Sequence, residues 1–336
     1  MSYLHFLGVL LVLHAPAGDS SAELPSYLPR YDLVIDLNVA SRQVQVHQIA
    51  TWTNPHDTPT DRIVMVAHAR YVVPENEIGL TAKTLEILRV RPSEAMGIVA
   101  PPLTLRALSV EGKPARYSIE GDTKTTLVIP LGRSIRKGES VRLSLDFTLD
   151  IPAKMGRWGQ WDGITTLSNW LPIFAFYGPE VNQFEVTPGG AKWQPTNFIA
   201  WHQPFFNEAG LYSARLTVEA DQHVVATGKI VDTRPAPDGR KVLEIRAKGV
   251  REFTVLCSKK YRFHEADVPV GPGGSMVRVR VAASPRNQFY GKKCLDFASH
   301  ALLCYSRWLG PYPYPEFTVA ESYFGWNGNE CSTIVM

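Results

Sequence analysis

Apolar and polar residues alternate along most of the first 280 positions. Tyr31, Leu33, Ile35, Leu37 and Val39 fall on one side, and Asp32, Asp36 and Asn38 on the other. A period of two predicts a half-buried strand. The pattern recurs over 44–52, 63–67, 103–110, 115–119, 125–129 and 141–149. The last is the cleanest, because Val141, Leu143, Leu145, Phe147 and Leu149 share one face. Asn54-Pro-His-Asp-Thr-Pro59, Gly112-Lys-Pro and Arg136-Lys-Gly-Glu139 supply turns between them. Over 81–89 the Leu and Ile positions suit a strand, with a helical turn as the alternative. Strands resume over 211–219, 224–230, 242–247, 252–257 and 276–281, with a hairpin-type loop at 234–239. Short strands separated by turns predict a mainly β fold, opening with an antiparallel sandwich-like or saddle-like domain.

Two stretches depart from this period. Residues 153–210 carry Trp158, Trp161, Trp170, Trp193 and Trp201 with seven further Phe and Tyr residues, and show no clear repeat. A segment so aromatic is expected to be packed. It can form a ligand-facing wall, or a cluster covering a sheet or a domain interface. At Ser284 the period becomes helical. Ser284 is a candidate N-cap and Pro285 a candidate first helical residue. Phe289, Cys294, Leu295, Ala298, Leu302, Tyr305 and Leu309 then recur at helical spacing, predicting one helix of about 24 residues stopped by Gly310-Pro311. A strand at 317–322 and a closing one at 332–336 follow.

The length, 336 residues, exceeds what one core usually holds and predicts two domains or more. The expected division is a candidate signal peptide at 1–22, a β-domain at 23–274, and from 275–336 the first helix and strands of an incomplete α+β domain. Phe6–Leu13 is an apolar run too short to span a bilayer, and Ala15-Pro-Ala17 has a small-x-small cleavage pattern. The expected location is secreted, periplasmic or cell-envelope, or cytoplasmic if that run is no signal. No other stretch is long enough for a transmembrane segment. A net charge of +3 without a basic block argues against nucleic acid as partner. The four cysteines, Cys257, Cys294, Cys304 and Cys331, form no C-x-x-C, and buried thiols are the expected state.

None of the nine histidines lies in an H-E-x-x-H, and there is no Walker A, G-x-G-x-x-G or G-x-S-x-G motif. His202 and His300 are read as structural. The remaining candidate is Glu330, in Gly325-Trp-Asn-Gly-Asn-Glu-Cys-Ser332. Gly325 and Gly328 allow close backbone approach. A carboxylate beside an open strand edge could bind a cation, and the edge could pair with an extended peptide. A solvated surface Glu is the plain alternative.

The run Tyr305-Ser-Arg-Trp-Leu-Gly-Pro-Tyr-Pro-Tyr-Pro-Glu-Phe-Thr-Val-Ala-Glu321, followed by Phe324-Gly-Trp-Asn-Gly-Asn-Glu-Cys-Ser332, resembles the M1 family of zinc aminopeptidases. There a helix ending in F-G-x-Y-P-Y-P leads to a strand and a G-x-M-E-N exopeptidase motif. Upstream, 206–218 and 224–228 resemble the end of that family's N-terminal β-domain. The resemblance implies that Glu330 binds a substrate's free α-amine, that the edge at Gly328 and Asn329 hydrogen-bonds the peptide, and that Gln194 is a possible second amine ligand. Asn327, Asn329 and Cys331 depart from the motif, which bears on edge geometry and substrate preference. Zinc is expected for the full-length family enzyme, held by an H-E-x-x-H helix and a further Glu that this sequence does not contain. The chain alone is therefore expected to bind no zinc, to have no catalytic residues and to hydrolyse nothing. It is expected to partner with a peptide N-terminus and with the missing catalytic region. The alternative is a non-catalytic peptide- or protein-binding scaffold.

Overall fold

A computed structural model describes residues 23–87, 91, 100–180, 189–196, 206–271, 275–323 and 328–336. The candidate signal peptide, Trp201, His202 and Gly325 lie outside the described residues.

The largest sheet has eight strands in the order Lys229–Pro235, Arg240–Val250, Gly210–Glu219, Arg30–Asn38, Gln43–Thr53, Ser140–Asp150, Leu103–Val110, Lys113–Pro114. Strict alternation buries Tyr31, Leu33, Ile35 and Leu37 of the Arg30–Asn38 strand and exposes the residues between. The sheet is not wholly antiparallel. Arg30–Asn38 runs parallel to Gly210–Glu219, pairing Tyr31 with Tyr212. Strands so far apart in sequence need no hairpin, so the chain's long return sets their direction. Tyr31 and Tyr212 stack at 4.7 Å.

A second sheet, in the order Ile173–Phe174, Thr60–Val66, Thr126–Ile135, Ser118–Glu120, shares one core with the first. Ile63, Met65, Leu127 and Ile129 from it join Leu145, Phe147 and Leu149 in that core. Residues 115–119 do not form one strand: Lys113–Pro114 and Ser118–Glu120 are separate strands in different sheets. The stretch 78–87 is a helix, because Thr81 and Leu85, four apart, are its two buried residues.

Much of the described part of the aromatic stretch is core. Trp158, Trp170, Phe174 and Tyr177 are buried in the same cluster as the two sheets. Trp52, Tyr177 and Trp193 form a triangle with centroids 4.8 to 5.4 Å apart. These rings cover a sheet, and Tyr177 and Trp193 also line a cleft of about 630 Å³ beside Pro59–Arg62.

A third sheet, in the order His223–Ala226, Val255–Ser258, Ile164–Leu167, Trp158–Trp161, leads to the last part of the chain. There a mixed sheet runs Arg262–Pro269, Met276–Ala283, Glu316–Ala320, Ile334–Val335, Glu330–Cys331. Its first strand is absent from the sequence expectation, and position 274/275 falls inside the Arg262–Pro269/Met276–Ala283 hairpin. The helix Gln288–Leu309 connects two parallel strands and packs Leu302, Leu295 and Ala298 on Val268, Val277 and Val279. The opposite face, through Ala282, Ala320 and Ile334, packs on Ile164, Val225, Leu256 and Tyr261.

Ser284 does not cap the helix. A 3-10 turn, Pro285–Asn287, precedes it. The Ser284 N–H and hydroxyl both donate to the Glu321 carboxylate, at 2.6 and 3.0 Å, and Asn287 Nδ2 donates to it at 2.7 Å. A carboxylate at a helix N-terminus opposes the positive end of the dipole. The helix stops at Gly310, whose φ of +107° suits glycine.

Candidate functional site

Residues 328–336 form a hairpin. Glu330–Cys331 pairs with Ile334–Val335 across the turn residues Ser332 and Thr333. Thr333 holds φ at +65°, a costly conformation for a β-branched residue. Tertiary contacts hold it there: Gly228 N–H donates to Thr333 Oγ1 at 3.1 Å, and Thr318 N–H donates to its carbonyl at 2.9 Å.

Glu330–Cys331 is the edge strand of the mixed sheet. Asn329 and Met336 exchange two backbone hydrogen bonds, at 3.2 and 3.0 Å. Pairs in an antiparallel ladder alternate, so Glu330 and Val335 form the non-hydrogen-bonded pair. The Glu330 N–H and C=O therefore face the open side. The Ser332 N–H, two residues on, faces the same way and is taken by the Glu252 carboxylate. Arg251 N–H donates to Ser332 Oγ at 3.0 Å. Burial raises the Glu252 pKa above the usual carboxylate value.

The Glu330 carboxylate is exposed on this edge. A Cβ added at Gly328 would lie 3.1 Å from Glu330 Oε1 and 3.3 Å from the Met336 carbonyl. Glycine there lets the carboxylate lie close over the backbone.

Asn329 is placed differently from the expectation. It is 2% exposed. Its Oδ1 accepts from Arg157 Nη1 at 2.7 Å, and its Nδ2 donates to Ser168 Oγ and Cys331 Sγ, both at 3.2 Å. With its backbone paired to Met336, Asn329 anchors the edge from beneath and offers a ligand nothing. Gln194 is elsewhere, on the Phe176–Gly178/Lys192–Gln194 hairpin, with its amide donating to the Gly178 and Pro179 carbonyls.

Arg157 was not among the sequence candidates. It is buried, and burial lowers its pKa to about 10, with the nearby Cys331 and Glu330 acting in the opposite sense. A cation directly beside Trp158 in the non-periodic aromatic stretch was the available signal. Burial raises the Cys331 thiol to about 11, so it is a packed thiol and no nucleophile at neutral pH.

His68 feels the same cation. Burial first, then Arg157, lowers its pKa from 6.5 to about 3. The folded value lies below the unfolded one, so acid protonates the unfolded chain first. This contribution to stability is whole above pH 6.5 and is lost as pH falls from there toward 3. The slope is about 1.4 kcal/mol per pH unit, or about 2 kcal/mol between pH 7 and 5. Urea titrations at the two pH values should show that loss, and His68→Leu should shrink it.

Among the described residues no group of three or more His, Cys, Asp or Glu side chains is placed to hold a metal ion. These residues do not fit zinc, and no chemical step is assigned to a metal. The described helices include none long and apolar enough to cross a membrane.

Solved structures share this architecture. An M1 zinc metallopeptidase from Deinococcus radiodurans aligns with a TM-score of 0.55 at 16% identity, over 92% of this chain and 59% of that chain. A mutant of that enzyme bound to a Tyr-Ser-Ala substrate aligns equally well, with a TM-score of 0.55. The fold is that of the M1 zinc metallopeptidases. Legionella pneumophila aminopeptidase A, in complex with aspartic acid, aligns with a TM-score of 0.57 at 10% identity, over 92% of this chain and 30% of that one. The chain thus spans about three fifths of the Deinococcus M1 structures and under a third of the Legionella one. No family model matches the sequence, and no curated protein matches it.

Proposed function

We propose that this chain is the N-terminal, substrate-anchoring portion of an M1-type zinc aminopeptidase. Its share of the reaction is to hold the free N-terminus of a peptide. The observation that carries this is Glu330: an exposed carboxylate on an edge strand, with its own N–H and C=O facing outward. A peptide laid on that edge gains backbone hydrogen bonds from Glu330, and its terminal ammonium gains a charge-assisted bond to the carboxylate. Selection for a terminal amine follows, because an acylated N-terminus has no charge to offer. Zinc and its general base would come from the two fifths of the solved M1 structures that this chain does not span.

The test is calorimetry with Tyr-Ser-Ala and its N-acetyl form. The free-amine peptide should bind about tenfold more tightly, a difference of about 1.4 kcal/mol. Glu330→Gln should remove the preference while leaving the acetylated peptide's affinity unchanged. Equal binding of the two peptides to the parent chain would sink the reading.

A further inference from the structure

The cleft beside Pro59–Arg62 lies on the outer face of the second sheet. Its volume, about 630 Å³, falls within the about 300–1,000 Å³ usual for small-molecule sites. Ile63, Met65, Leu127 and Ile129 enter the core, so alternation turns Arg62, Val64, Thr126 and Val128 the other way. Val64 and Val128 stand opposite each other in adjacent strands and form an apolar floor. Glu120, opposite Thr126 on the edge strand, bounds the far side. The Phe176–Gly178/Lys192–Gln194 hairpin adds a wall through Tyr177 and Trp193.

That wall presents ring surface and keeps its polar tips turned away. Trp193 Nε1 donates to Thr60 Oγ1 at 3.0 Å and to the Arg62 carbonyl at 3.1 Å. The Tyr177 hydroxyl donates to the Thr58 carbonyl at 3.1 Å. Trp52 packs against both rings and fixes them. With N–H and O–H engaged, apolar ring is what remains for a ligand. The charges are engaged too. Arg62 Nε donates to Asp61 at 2.9 Å, Lys192 donates to Glu180, and Ser118 Oγ donates to Glu120 at 2.7 Å. Among the described lining residues, Asp61 and Glu120 balance Arg62 and Lys192. An ion or a zwitterion finds no unopposed charge here. Spare carboxylate lone pairs and guanidinium N–H groups remain, so the rim both accepts and donates hydrogen bonds. The matching ligand is uncharged, with an apolar face and hydroxyls around its edge. A pyranose ring has that form.

We propose that this cleft binds a neutral saccharide of one or two pyranose rings, its C–H face on Trp193 and its hydroxyls on Arg62 and Glu120. The site stands apart from amine anchoring by Glu330. Its floor and walls belong to the β-domain, and the mixed sheet that carries Glu330 packs on the third sheet, through Ile164, Val225 and Leu256. The strand Thr60–Val66, about 20 Å long, begins in the cleft and ends two residues before His68, which feels Arg157 beneath the Glu330 hairpin.

The experiment uses the full 336-residue chain and saturation-transfer difference NMR. Maltose, cellobiose, lactose and N,N′-diacetylchitobiose serve as probes. At least one should bind with a Kd of about 1 mM or tighter. Saturating aromatic protons alone should label the sugar's C–H protons. Arg62→Ala with Glu120→Ala, both at exposed positions, should weaken binding at least about fivefold with circular dichroism unchanged. Trp193→Leu should remove the aromatic transfer. Three results would overturn the proposal. One is no binding of any probe at about 10 mM. Another is affinity left unchanged by the Arg62/Glu120 pair or by the Trp193 change. The third is binding of Tyr-Ser-Ala, in place of the sugars, that the Arg62/Glu120 pair removes, which would assign the cleft to a zwitterionic peptide.

Discussion

Trp170→Ala should lower the unfolding free energy by about 3–5 kcal/mol, the usual range for emptying a large core site. Trp170 has no exposed surface and is among the largest fully buried side chains. Its ring meets Phe147 of the main sheet at 6.4 Å, and its Nε1 donates to the Phe253 carbonyl at 3.0 Å. One side chain thus joins the Ser140–Asp150 strand to the backbone beside Glu252. Asn169 sets it there with φ at +53°, a conformation that Asn tolerates better than most residues. Alanine would leave a cavity and a buried carbonyl without its donor. Trp170→Phe keeps most of the volume and loses the hydrogen bond, so it should cost about 1–3 kcal/mol. Urea denaturation of the two variants separates the cavity from the hydrogen bond. A loss below about 1 kcal/mol for Trp170→Ala would mean that this site does not join the sheets as described.

Arg157→Leu should cost about 2–3 kcal/mol and weaken peptide binding at Glu330 as well. The guanidinium bond to Asn329 Oδ1 is short, charged on one side and buried. Bonds to charged groups contribute about 1.5–3 kcal/mol, and a buried oxygen left without its donor adds a penalty. Relief of the buried Arg157 charge offsets part of this. The double variant Arg157→Leu with Asn329→Leu removes both polar partners and should recover some of the loss. Peptide affinity should fall in the single variant, because Asn329 no longer holds the residue beside Glu330 in register. Unchanged affinity for Tyr-Ser-Ala would show that the hairpin is held by Thr333, Ser332 and the Met336 pairing alone.

Local pattern made much of the fold legible. The Arg30–Asn38, Gln43–Thr53 and Ser140–Asp150 strands each bury one face and expose the other, so a period of two was written into their residues. The helix Gln288–Leu309 announced itself through its spacing and Gly310. The strand Arg262–Pro269 did not. It is an edge strand with only Val268 buried, and its charged residues serve an ion-pair ladder in which Arg278 meets Glu265 and Asp267. An edge strand of this kind buries too little to leave an apolar alternation. The parallel pairing of Arg30–Asn38 with Gly210–Glu219 was equally hidden, since neither strand's own pattern encodes its neighbour's direction.

In the hairpin, glycine and glutamate were legible by type, and the edge position of Glu330 agrees with an open strand beside an acidic group. Asn329 was not, because whether an amide faces a ligand or the interior depends on what lies beneath it. Here that is Arg157, 172 residues away in sequence.

The sequence by itself determined the mainly β character, the late helix, the apolar faces of the strands and the presence of one carboxylate in a glycine-rich turn. Those properties follow from side-chain periodicity and backbone permissiveness, which act over a few residues. Only the tertiary structure decided that much of the described aromatic stretch is core, that Glu321 replaces the expected Ser284 cap, and that Arg157 and Asn329 brace the Glu330 edge. These depend on contacts between distant segments, where burial and hydrogen-bond satisfaction are set by neighbours that local pattern does not name.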